Sequence, residues 1–188
     1  MLMDRIMGAL TFRKKVYAEV EKDVEFTNMA WVLVVVISLI NQLGKLPVYG
    51  FGQWVIVAIL GTVLSVAGFA LGAFLISWAG QTFFKAEVNF GEMVRVLGLA
   101  YVWNIVGILG LLGYVPLLAC ILSPISFIAA LAGLVSWVFA CKEALDLDWV
   151  PTIVVLLIGW VANVIVSVVI IGPILLIFGI GASVVGNM

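Results

Sequence analysis

Few side chains in this sequence could do chemistry, and their types and spacing say what kind. Histidine is absent, which removes the commonest metal ligand and the usual general base. Cys120 and Cys141 fall at opposite ends of one apolar segment, about 31 Å apart on a continuous helix, so they can neither be bridged nor share a metal. Both read as packing residues. Glycines are plentiful, but no phosphate-binding loop follows a strand. No catalytic residue, no cofactor and no metal site is therefore expected.

Two amides and a set of charges remain. Asn104 and Asn163 each lie near the middle of an apolar run, and an amide left in hydrocarbon is costly, so each must find a partner. They could bond to each other as an intramembrane polar pair, bond to neighbouring backbone, or line a path for water or ions. Glu92 and Arg95 are three apart, and Lys142 and Asp146 four apart, so each pair could meet on one helix face. With Glu143 and Asp148 they form a surface carrying both signs of charge at close quarters. That surface is either a solvated membrane boundary or a contact face for a partner.

The elements that position these groups follow from composition. Of 188 residues, 65% are hydrophobic and 10% charged, far from the roughly 45–50% and 25% of globular domains. Uncharged runs cover residues 26–44, 46–84, 96–141 and 149–188. A soluble enzyme and a disordered chain are both excluded, and the lipid bilayer is the first partner. A net charge of −1 gives no long-range field for nucleic acid.

A bilayer core about 30 Å thick takes about 20 helical residues. The first run gives one span, 26–44. In the second, Leu46 to Gln53 carries turn residues, including Pro47, Gly50 and Gly52, which leaves one long helix, 54–84. The third run is split at Gly113-Tyr114-Val115-Pro116, because proline lacks a backbone donor and disfavours helix before it. That gives spans at 94–112 and 117–141. A fifth follows Pro151 and runs 152–171, with a break at Gly172-Pro173 and a tail to 188 too short for a comfortable sixth span. The predicted fold is an all-α, five-span transmembrane bundle over 26–188, preceded by an N-terminal segment, 1–25.

Eight of the nine basic residues, and all ten acids, then fall on one side; only Lys45 falls on the other. The positive-inside rule places the N-terminus in the cytoplasm and the C-terminus outside, in a multi-pass protein of the cell membrane. Trp31, Trp78, Trp137 and Trp149 fall near the cytoplasmic interface and Trp54 near the outer one. Residues 1–25 are too charged for a signal peptide, and no cleavage is expected. Apolar residues there return at three- and four-residue steps, giving a helical segment that either lies in the membrane interface or packs on the bundle.

Helices in lipid associate through close packing of small residues. Span two carries Gly61, Ser65, Gly68 and Gly72; span four carries Ser123, Ser126, Ala130 and Gly133. The expectation is that these two stripes cross each other in one protomer, the alternative being that one is a homo-oligomer face.

Val16 to Asp23 before span one, Phe90 to Gly98 entering span three, Pro116 opening span four and Lys142 to Asp146 after it resemble bacterial members of the Yip domain family. The resemblance covers nearly the whole chain and implies five spans with a cytoplasmic N-terminus. Eukaryotic members are linked to organising membrane traffic, recruiting GTPases and shaping membranes, and carry an Asp-Leu-Tyr-Gly-Pro motif. This sequence lacks that motif and has only residues 1–25 before span one, so the resemblance does not extend GTPase binding to it. The implied role is non-enzymatic organisation of membrane or partner proteins, with a small-solute transporter or channel and an accessory subunit of a larger membrane complex as the alternatives.

Overall fold

The computed structural model describes residues 2–166 together with Val168 and Val169. Two short helices, α1 (Leu2–Leu10) and α2 (Lys14–Lys22), precede α3 (Phe26–Leu43), α4 (Leu46–Phe84) and α5 (Phe90–Ala100). A 3₁₀ helix (Tyr101–Tyr114), α6 (Pro116–Leu145) and α7 (Trp149–Val166) follow, with no strand among the described residues. Five stretches are long and apolar enough to cross a membrane: Phe26–Leu43, Phe51–Phe84, Phe90–Gly113, Leu117–Leu145 and Trp149–Val166. The all-α, five-span architecture stands as expected. The expected end of span five near 171, the Gly172-Pro173 break and the tail to 188 lie outside the described residues.

Two elements differ from expectation. Helix α4 starts at Leu46, through the segment expected to turn, with proline in its first turn. Proline is permitted there because the N–H it lacks would have had no intrahelical partner. The third span is α-helical only to Ala100 and then continues as a 3₁₀ helix of 14 residues, far longer than such helices usually run. A 3₁₀ helix repeats every three residues, so Asn104, Gly107, Gly110 and Gly113 share one ridge. Against that ridge α3 comes to backbone contact: a Cβ on Gly44 would strike the Gly107 carbonyl, and one on Gly110 would lie 2.5 Å from the Gly44 carbonyl oxygen.

The core gathers around α5, where every residue from Met93 to Ala100 is buried. A helix apolar on all sides belongs inside a bundle. Its crossing with α3 is tight, since a Cβ on Gly98 would stand 2.9 Å from that of Ala30. Helix α3 also packs on α4 and the 3₁₀ helix, α4 on α7, and α6 on the 3₁₀ helix and α5.

The expected crossing of spans two and four is not formed; each stripe serves other neighbours. On α4, a Cβ at Gly61 would meet the Gln42 side chain of α3, and one at Gly72 would lie 3.4 Å from Asn163 Nδ2 of α7. On α6, Gly133 lies against Trp103 of the 3₁₀ helix. Ser123, Ser126 and Ala130 are exposed and Ser65 is half-buried. The small residues of α4 make room for polar side chains of α3 and α7, and α6 meets α4 through larger side chains, Trp137 beside Gly72 and Leu145 at Gly80.

Of the two alternatives for the N-terminal segment, packing on the bundle is the one found. Helix α2 lies on α5 and α6, and α1 on α2, α5 and the 3₁₀ helix. Tyr17 and Val20 are fully buried. The turn between α1 and α2 holds Phe12 at φ 56°, a left-handed conformation unfavourable for a bulky side chain. Its ring stacks on Trp103 at 5.4 Å and tilts against Phe139 at 6.3 Å, which offsets that cost.

Candidate functional site

The charged end of the bundle collects the N-terminal helices, the start of α5 and the end of α6. Helix α5 opens with a capping box. The Asn89 side chain accepts from the Glu92 N–H at 2.9 Å, and the Glu92 carboxylate accepts from the Asn89 N–H at 2.8 Å, satisfying two donors that a helix start leaves without partners. Glu92 is thus a capping group before it is a contact group.

Arg95, expected on the contact surface in a pair with Glu92, is instead buried, 5% exposed. Its Nε donates to the Glu21 carbonyl at 2.9 Å, Nη2 donates to the same oxygen, and Nη1 donates to Thr27 Oγ1 at 3.2 Å. The guanidinium thereby binds a carbonyl in the last turn of α2, where the helix dipole favours a cation. Arg95 is a clamp between α2, α3 and α5, and the surface loses that positive charge.

Further ties of the N-terminal helices were not foreseen. The Tyr17 hydroxyl shares a buried 2.6 Å hydrogen bond with Ser136 Oγ on α6, and burial pushes the Tyr17 hydroxyl above its ordinary range, the Ser136 bond opposing part of that rise. Arg5 pairs with Asp23 at 2.7 Å and lies 5.0 Å over the Phe26 ring. That hydrogen bond holds the Asp23 carboxyl below its usual range. Lys15 and Glu19, four apart on α2, pair at 3.8 Å, largely exposed and of little energetic weight.

Lys142 and Asp146 form no ion pair among the described residues. Lys142 Nζ lies 5.3 Å over the Trp149 ring, and Lys14 Nζ of α2 lies 5.4 Å from the same ring and 5.3 Å from Phe139. Asp146 caps α6 in the left-handed region at φ 49° and is exposed, as is Asp148; Glu143 is half-buried. Glu21 titrates above its ordinary range because of burial first, then the field of Glu92, with Asp146 and Glu143 adding to it and Lys22 opposing. Acidic groups of α2, α5 and α6 therefore converge on one face.

Deep in the membrane the two asparagines do not pair with each other. Asn163 Nδ2 donates to the Gly68 carbonyl of α4 at 3.2 Å. Asn104 Nδ2 donates to the Tyr101 carbonyl on its own helix at 3.2 Å, while the Asn104 carbonyl accepts from Asn41 Nδ2 at 2.9 Å. Backbone, the second of the expected partners, is what both find. A groove of about 320 Å³ opens beside Asn104, lined by Asn41, Trp103, Gly107, Ser126 and Ala130 among others. Asn163 does not line it.

A family model described as the Yip1 domain matches residues 7–171. The chain belongs to the Yip1 domain family. No curated protein and no solved structure matches it. The Yip1 match starts inside α1 and runs past the last described residue of α7, so it takes in most of the N-terminal hairpin as well as the spans. In this Yip1-domain protein no group of three or more metal-ligating side chains occurs among the described residues. The features that could have revealed the missed ties were in the sequence: Asn89 and Glu92 have capping-box spacing, and Arg95 sits in a run that is apolar on both sides.

Proposed function

We propose that this Yip1-domain protein is a non-enzymatic organiser of the cell membrane that holds a partner protein by a basic segment, at a charged end facing the cytoplasm. The observation that carries the reading is the convergence of Glu21, Glu92, Glu143 and Asp146 from three elements. Among the described residues none of these four is in a salt bridge with a cation, and the unfavourable field is felt at Glu21. An acidic face of this kind is relieved by basic side chains brought from outside. The clamp at Arg95 and the Tyr17 bond keep the surface rigid, which lowers the ordering cost of binding.

The test is exchange of Glu21→Gln, Glu143→Gln and Asp146→Asn, with co-purifying proteins from native membranes identified by mass spectrometry. Glu92 is left in place because it caps α5. The expected outcome is loss of partners at fixed stoichiometry from a still monodisperse protein; unchanged co-purification refutes the contact face. A tag at residue 188 reachable from the cytoplasm refutes the orientation. The groove beside Asn104 supports a second reading, a small-solute site, for which transport by reconstituted vesicles is the assay.

A further inference from the structure

Two basic side chains of the charged end, Lys14 and Lys142, gather around one aromatic ring. Lys14 and Lys142 both direct Nζ at Trp149, at 5.4 and 5.3 Å, so the two ammonium groups are no more than about 11 Å apart. Neither forms a salt bridge among the described residues, although Asp146 and Asp148 lie on the same connecting turn. Two like charges brought together with no salt bridge to either leave a place for an anion.

The position of that place says which anion. Trp149 is the first residue of α7 and Lys142 lies in the last turn of α6, so both stand where spans leave the hydrocarbon, the level at which tryptophan rings and lipid headgroups meet. Below Lys142 on the same face of α6, at helical spacing, come Phe139, Val135 and Leu131; the last two are exposed. A cationic head above an uncovered apolar column fits a ligand with phosphate at one end and acyl chains at the other. We infer that Lys14, Lys142 and Trp149 form a binding site for the headgroup of an anionic phospholipid, with α6 from Phe139 to Leu131 receiving its chains.

The site ties lipid to both the N-terminal hairpin and the bundle, because Lys14 belongs to α2 and Lys142 to α6. Native mass spectrometry of the full chain in detergent, titrated with phosphatidylglycerol or phosphatidylcholine, tests it. Phosphatidylglycerol is expected to bind in preference. The double variant Lys14→Gln/Lys142→Gln is expected to lose affinity about 30-fold, at about one basic residue's contribution each. Lys14→Arg/Lys142→Arg should retain it, and Lys45→Gln, at the opposite end, should leave it unchanged. If the double variant fails to fold, either single variant gives the same test with about fivefold loss. Equal binding of the two lipids, undiminished binding by the glutamine variants, or displacement of phosphatidylglycerol by millimolar inorganic phosphate overturns the assignment.

Discussion

Replacing Arg95 by methionine removes a side chain that ties α2 to both α3 and α5. The guanidinium makes two bonds to the Glu21 carbonyl and one to Thr27 Oγ1. Hydrogen bonds from a charged donor contribute about 1.5–3 kcal/mol each, and an acceptor left buried without a partner costs about 1–3 kcal/mol. Relief of the charge's own burial offsets part of that sum. A net loss of about 2–4 kcal/mol is expected, and most of it falls on the docking of α2, which receives two of the three bonds. Hydrogen–deuterium exchange of peptides covering Lys14–Lys22 is the assay, because opening of a local unit is read there directly. Exchange in that segment should accelerate about 30- to 1,000-fold, while peptides from α7 keep their protection. Arg95→Lys, a point charge that cannot reproduce the planar fork, should recover less than half of the loss. Unchanged protection of Lys14–Lys22 in the methionine variant would refute the clamp.

Tyr17→Phe leaves Ser136 Oγ buried without its partner and should weaken α2 docking by about 1–3 kcal/mol, with Tyr17→Phe/Ser136→Ala recovering most of it, as read by the same exchange experiment. Because the folded hydroxyl titrates above the unfolded value of 10.0, its contribution is intact below pH 10 and is lost as pH rises further; phenolate absorbance followed against exchange checks the sign. Gly98→Ala, which meets Ala30, should lower the thermal stability of the detergent-solubilised protein, whereas Gly68→Ala, where an added Cβ meets nothing within 4 Å, should not.

How much of this could be read from the residues alone depended on whether a signal lies in hydrophobic length or in side-chain partners. The five spans, the break before Pro116 and the gathering of charge at one end follow from bilayer thickness and the cost of buried charge, both nearly independent of neighbours. The stripe on α4 marks a smooth face but not what meets it; the neighbours include Gln42, Asn163 and Trp137, side chains whose length matters as much as the glycines. Arg95 looked like a boundary charge because it lies near one, yet the unbroken apolar sequence around it belongs to a helix enclosed on every side. The 3₁₀ helix had a sign in the three-residue spacing of Gly107, Gly110 and Gly113, which stays in line at a period of three and drifts around the helix at 3.6. Lys14 and Lys142 meet on Trp149 only through the fold, since the two lysines are 128 positions apart in the chain.

The change of helix type within the third span also sets its reach. Eleven α-helical and 14 3₁₀ residues extend about 45 Å, at about 1.5 and 2.0 Å per residue, the same as the 30 residues of α6. Winding the 3₁₀ portion up to α would draw the segment in by about 7 Å, slightly more than the difference of about 5 Å between thin internal membranes and the thicker plasma membrane. A crossing wound in this way would fit the thinner bilayer upright, where an α-helix of fixed length must tilt.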